Sequence, residues 1–88
     1  MNFEFTGILL RTADNKRSVS VEATTLAGAL AELSDMFPSM GRVLLDNTGS
    51  LRKAHRVFLN GELVPHPDET MPLGDDDRIE FFTAVAGG

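Results

Sequence analysis

No cysteine occurs anywhere in the 88 residues. That absence excludes disulfides, a thiolate metal site and a cysteine nucleophile together. Long apolar runs are missing too, and none approaches the ~20 residues that a bilayer-spanning helix needs. Positive charge is scarce: eight Lys and Arg face thirteen Asp and Glu, and a net charge of −5 argues against nucleic-acid affinity. Neither repeats nor a low-complexity linker divide the chain, so residues 1–88 are read as one domain. The opening "MNFEFTGILLRT" carries Glu4 and no basic region ahead of its apolar residues, which does not suit a signal peptide. The expectation is a soluble, cytoplasmic protein, monomeric when free, with neither nucleic acid nor membrane as partner.

Against these absences stands an apolar content of 42%, enough for a folded chain. A domain of this size buries ~60% or somewhat more of its unfolded surface, so the core is adequate but thin. "NFEFTGILLRT" alternates Phe3, Phe5 and Leu9, with Gly7 where a bulge could sit. "ADNK" has turn composition and "RSVSVEA" alternates Val19 and Val21, so the opening reads as a hairpin. Thr24 or Thr25 then offers a hydroxyl to cap a helix through "LAGALAELSDMF". Leu26, Leu30, Leu33 and Phe37 fall on one stripe of it, and Pro38 ends it. Gly28 lowers helix propensity there, and close packing on the sheet is its expected reason.

The pattern weakens from Ser39 to Arg56, where "RVLL" reads as a short buried piece and "DNTGS" as a turn. "RVFLNGELV" is clearer. Val57 and Leu59 face one way, Phe58 the other, and Asn60-Gly61 suits a type I′ hairpin. Pro65, Pro67, Pro72 and Gly74 then deny a second long helix. "RIEFFTAV" closes the series, with Ile79, Phe81, Thr83 and Val85 on one face and Glu80, Phe82 and Ala84 on the other. The order β-β-α-β-β-β predicts an α+β fold of the ubiquitin-like β-grasp kind: a mixed sheet with one main helix packed on one face.

Candidate chemistry is sparse. Asp68, Glu69, Asp75, Asp76 and Asp77 do not match a calcium-loop spacing and read as a solvated turn before the last strand. His55 and His66 lack an acid or thiol at the spacing a metal site uses, so no metal is expected. Arg52, Lys53, His55 and Arg56 form a small basic cluster, read as a solvated strand approach rather than a phosphate site. There is no nucleophile elbow, Walker loop or dinucleotide fingerprint. No enzyme activity is expected from these residues.

The remaining signal is "AVAGG", ending on Gly87-Gly88. At average glycine usage such a pair arises by chance about once in 200 chains, so alone it is weak. On a grasp fold it says more. Without Cβ atoms, a flexible Gly-Gly tail can thread a narrow cleft and carry the α-carboxylate into another protein's nucleotide site. A carboxylate becomes an acyl donor once its oxygen is made a leaving group. Attack on the α-phosphate of ATP gives an acyl-adenylate, from which sulfur can displace AMP.

The helix "TTLAGALAELSDMFP", the strand "VFLNGELV", the approach "PLGDDDRIEFF" and the terminal "AVAGG" together resemble the MoaD/ThiS family of ubiquitin-like sulfur carriers. The resemblance covers nearly the whole chain. It implies that Gly88 is adenylated by an E1-like enzyme of the MoeB/ThiF type and converted to a thiocarboxylate. The carrier would bind no cofactor itself, with ATP used by the activating partner. Gly87 and Ala86 would thread the partner's active site, and an exposed apolar surface around Phe82 and Phe58 would dock it. Two departures from the family pattern stand out: Thr83-Ala84 where molybdopterin-synthase small subunits often have prolines, and a longer "RVLLDNTGSLRKAHR". Both lean toward the actinobacterial cysteine-biosynthesis carrier and its relatives serving thio-containing metabolites, with a sulfur-accepting biosynthetic enzyme as second partner. The small subunit of molybdopterin synthase, a ubiquitin-like protein modifier and an inert binding module are the alternatives.

Overall fold

The computed structural model describes residues 1–83. Strand β1 (Asn2–Glu4) pairs antiparallel with β2 (Ser18–Ser20), placing Phe3 opposite Val19, and both side chains are buried. The chain between them is not the simple turn that alternation suggested. Gly7 has φ +61°, a left-handed value that glycine adopts without a Cβ penalty, and it turns the chain into a one-turn helix, α1 (Ile8–Thr12). Leu9 and Ala13 are therefore buried by helical spacing rather than by strand alternation. Asp14 and Asn15, at φ 55° and 63°, close this helix, and the Asn15 amide donates to the Leu10 carbonyl at 2.9 Å. "ADNK" is thus a turn, as its composition predicts.

The main helix, α2 (Leu26–Met36), follows the sequence closely. Thr25 is the cap, its hydroxyl accepting from the Gly28 amide at 3.2 Å. Leu26, Leu30, Leu33 and Phe37 are all buried, as the stripe requires. The reason for Gly28 differs from the expected one. A Cβ there would meet Ala23 Cβ and Thr25 Oγ1 at 3.3 Å each, so it is the lead-in to the helix, not the sheet, that crowds this position.

Pro38 ends α2 and also opens another helix, α3 (Pro38–Leu44), at the first position, where a missing N–H costs nothing. Met40 and Leu44, one turn apart, are buried. "RVLL" is therefore the end of a helix that packs on α2 and touches α1. Gly41 allows this crossing, because a Cβ there would lie 3.0 Å from Ser34 Cβ and collide with Ser34 Oγ. Gly41→Val is expected to cost about 1–3 kcal/mol through overpacking, read as a lower urea midpoint at unchanged slope.

Strands β3 (His55–Leu59) and β4 (Glu62–Val64) form the hairpin, with Leu59 opposite Glu62. Asn60 and Gly61 both have positive φ, 54° and 87°, as a type I′ turn demands. Strand β5 (Arg78–Thr83) is central: parallel to β1, antiparallel to β3, in the order β2-β1-β5-β3-β4. One face of this sheet supplies Phe3, Val19, Val57, Ile79 and Phe81 to the core, where they meet the α2 stripe. The architecture is a ubiquitin-like β-grasp with one long helix and two short ones among the described residues. Among the described residues no helix is long and apolar enough to cross a membrane.

Candidate functional site

Because strand side chains alternate, the face of the sheet away from α2 is fixed by the core residues of the other face. Ile79 and Phe81 point inward at 0% and 2% exposure, so Arg78, Glu80 and Phe82 point outward, and Phe82 is 45% exposed. On β3 the same logic buries Val57 and turns Arg56 and Phe58 outward. Phe58 and Phe82 meet edge to face, ring centroids 4.9 Å apart at 77°. They sit on a diagonal of the ladder, since Arg56 lies opposite Phe82 and Glu80 opposite Phe58.

Leu63 extends the patch. It is directly opposite Phe58 across the hairpin and 48% exposed. Sequence reasoning did not single it out, although the two-residue Asn60-Gly61 turn fixes that register. An acidic and basic border runs beside the patch: Arg78 Nε lies 3.3 Å from Glu4 and 3.6 Å from Glu80. Arg78 and Glu4 are close to half-exposed and Glu80 is partly exposed, so the pairs contribute little to stability. Gly88, Gly87 and Ala86, with the expected facings of Ala84 and Val85, lie outside the described residues. The strand that leads toward them is β5, whose pairing with β3 runs to Thr83 opposite His55.

The acidic stretch is more than a solvated turn. Asp77 accepts from the Gly74 amide at 2.7 Å and from Asn60 Nδ2 at 3.0 Å, while Asn60 Oδ1 accepts from the Arg78 amide at 2.9 Å. The approach to β5 is thereby tied to the β3–β4 turn. The Gly74 amide, then Asn60, hold the Asp77 carboxyl below its ordinary value. Asp68 and Asp46 are lowered as well, chiefly by the hydroxyls of Thr70 and Thr48, with their amides second. A carboxyl whose folded value is depressed stabilises the fold above its unfolded value, here 3.8, and that contribution is lost as pH falls through the folded value. The melting temperature should therefore drop below about pH 4. Asp77→Asn should flatten that part of the profile, checked by thermal melts across the acid range.

Of the basic cluster, His55 is separated from the rest by burial. It is 6% exposed, and its Nε2 lies 2.8 Å from the Val43 carbonyl, to which it donates, pinning β3 to the end of α3. Arg52, Lys53 and Arg56 remain exposed. Among the described residues no group of three or more His, Asp or Glu side chains is placed to hold a metal ion.

Solved structures of the same fold include SAMP1 from Haloferax volcanii, at 23% identity, TM-score 0.82, with 99% of this chain and 97% of that one covered. CysO from Mycobacterium tuberculosis gives 22% identity and TM-score 0.80 over 96% of this chain and 98% of that one. A chain of the BexX/CysO complex from Amycolatopsis orientalis gives 20% and 0.83 over 99% and 98%. No curated protein matches the chain. The model of the ThiS family matches residues 4–88. With that match over a β-grasp frame, the chain belongs to the ThiS family of ubiquitin-like sulfur carriers, small proteins that are generally not catalytic themselves.

Proposed function

We propose that this protein carries sulfur on its C-terminal carbonyl. In this reading Gly88 enters the nucleotide site of an E1-like enzyme of the MoeB/ThiF type. Its carboxylate oxygen attacks the α-phosphorus of ATP, and pyrophosphate leaves. Hydrosulfide then attacks the acyl carbon, AMP leaves with the electron pair, and a thiocarboxylate remains. The thiocarboxylate sulfur attacks an electrophilic carbon held by a biosynthetic enzyme and displaces that carbon's leaving group. Hydrolysis of the resulting acyl–sulfur bond then returns the Gly88 carboxylate and frees cysteine or another thio-containing metabolite. The observation that carries this reading is the family match, which runs through Gly87 and Gly88. The cell compartment that suits it is the cytoplasm, where ATP is at hand.

Phe82 and Phe58 are assigned to docking. They form an outward-facing aromatic pair, with exposed Phe82 on the strand that leads to the tail and half-buried Phe58 on neighbouring β3. Aromatics near an interface centre are common hot spots. That a chain of the same fold occurs in a BexX/CysO complex supports a protein partner. Phe82→Ala should weaken binding to the activating enzyme by about 1–3 kcal/mol, measured by calorimetric titration. Its cost in stability should stay near ~1 kcal/mol, the worth of a lost aromatic pair.

The test of the carrier itself is intact-mass analysis after incubation with ATP, sulfide and a MoeB/ThiF-type enzyme. A species heavier by the difference between sulfur and oxygen is the expected result. No mass change with an enzyme that loads another carrier would end the proposal. Fold likeness to small archaeal modifier protein 1 of H. volcanii favours one second reading, in which a lysine amine displaces AMP and an isopeptide bond forms. Lysine-linked adducts without a thiocarboxylate would select it.

A further inference from the structure

The stretch from Arg52 to Arg56, which reads in sequence as a solvated strand approach, forms one wall of a groove of about 610 Å³. The opposite wall is formed by Val64, Pro65, His66, Pro67 and Glu69, and Leu51 with the two prolines supplies apolar floor. Charge is distributed unevenly here. Three of the chain's eight Lys and Arg residues (Arg52, Lys53, Arg56) line the groove, against Glu69 as the one acid on its lining. A chain of net charge −5 has thus placed a locally positive concavity on its surface. Among the described residues, the side chains of Lys53, Arg56 and His66 have no ion pair or hydrogen-bond partner of their own. They are available to a ligand.

Both walls are held by backbone. The Arg52 amide donates to the Leu44 carbonyl at 2.8 Å, and His55 fastens the same wall to Val43. Across the groove, the Ala27 amide donates to the Glu69 carbonyl at 2.8 Å and the Leu26 amide to Met71 at 3.1 Å. Asp68 clasps the Thr70 amide and hydroxyl at 2.8 and 2.7 Å. A groove so tied needs little ordering when a ligand arrives, which lowers the cost of binding. Its volume falls in the ~300–1,000 Å³ range of small-molecule sites. Guanidinium forks and an ammonium on one wall suit the oxygens of phosphate, and the apolar floor suits an uncharged body attached to it.

We infer that this groove binds a phosphate-bearing small molecule through Arg52, Lys53 and Arg56. The inference is independent of tail activation and needs no partner enzyme to test. Amide NMR spectra of the full chain, titrated with inorganic phosphate and with pyrophosphate at constant ionic strength, should show saturable shifts confined to residues 50–56 and 64–69. Pyrophosphate should bind more tightly than phosphate. Arg52→Gln with Lys53→Gln, and separately Arg56→Gln, should weaken pyrophosphate binding about tenfold or more, the loss expected for one charge-assisted contact. Arg11→Gln with Arg17→Gln, exposed cations outside the groove, should leave it unchanged. Non-saturating shifts spread over all basic residues would overturn the inference, as would groove variants that bind like wild type. An oligoglutamate peptide that moves the same amides at lower concentration than pyrophosphate would also overturn it, assigning the groove to polypeptide docking instead.

Discussion

Phe81→Ala should cost the fold about 3–5 kcal/mol, the range for emptying a buried aromatic site. Phe81 is 2% exposed and stacks on Phe3, with ring centroids 5.5 Å apart at 19°. Phe3 in turn stacks on Phe5 at 6.1 Å, so the cavity would open beside a continuous aromatic row. The site cannot collapse easily, because β5 is hydrogen-bonded on both sides. Domains of this size have roughly 5–15 kcal/mol in total, so much of the stability would go. Denaturant curves of Phe81→Ala and Phe82→Ala, run together, give the cleanest contrast between two adjacent residues. A loss under ~1 kcal/mol for Phe81→Ala would contradict the inward facing of this side chain.

Deleting Gly88 should abolish ATP-dependent thiocarboxylate formation, since the acyl group would be withdrawn from the activating site. This follows from the proposed carrier chemistry. The melting temperature should hardly move, because terminal residues outside the sheet ladder make few contacts and the described core already spans Met1 to Phe81. Gly87→Val should fold normally and load slowly, because a β-branched side chain stiffens and widens the segment that must enter a cleft. Mass analysis of loading and a thermal melt on each variant separate the two effects. Loading of Gly87→Val at the wild-type rate would show that the cleft is not narrow at this position.

The parts of the fold legible in sequence were those with long or rigid signals. Four apolar positions over three turns identified α2, and Asn60-Gly61 identified both a hairpin and its register. The outward facing of Phe82 and Phe58 followed from alternation against Ile79, Phe81 and Val57. Short helices escaped. Leu9 of α1 continues the strand alternation of Phe3 and Phe5 ahead of it, and five residues give a helical period no room to show. In α3 the proline that marks an end also marks a beginning, and Gly41 is there to let Ser34 approach, not for propensity. The groove was not legible either. Its walls flank the β3–β4 hairpin, and strand alternation does not show that the segments before β3 and after β4, with Arg52, Lys53 and His66, enclose one concavity.

The central position of β5 has a consequence for the order in which the molecule can be made. Phe3 pairs with Ile79 and Val57 with Phe81, so among the described strands the one that joins the two halves of the sheet is synthesised last. Until it emerges, the β1–β2 pair and the β3–β4 hairpin are separate ribbons with open inner edges, each too small to be stable alone. Contacts this distant in sequence form late and slowly. A nascent chain therefore cannot complete its sheet ahead of translation. Closure of the sheet waits on β5, so chains cut short before it lack the finished outward face that carries Phe82.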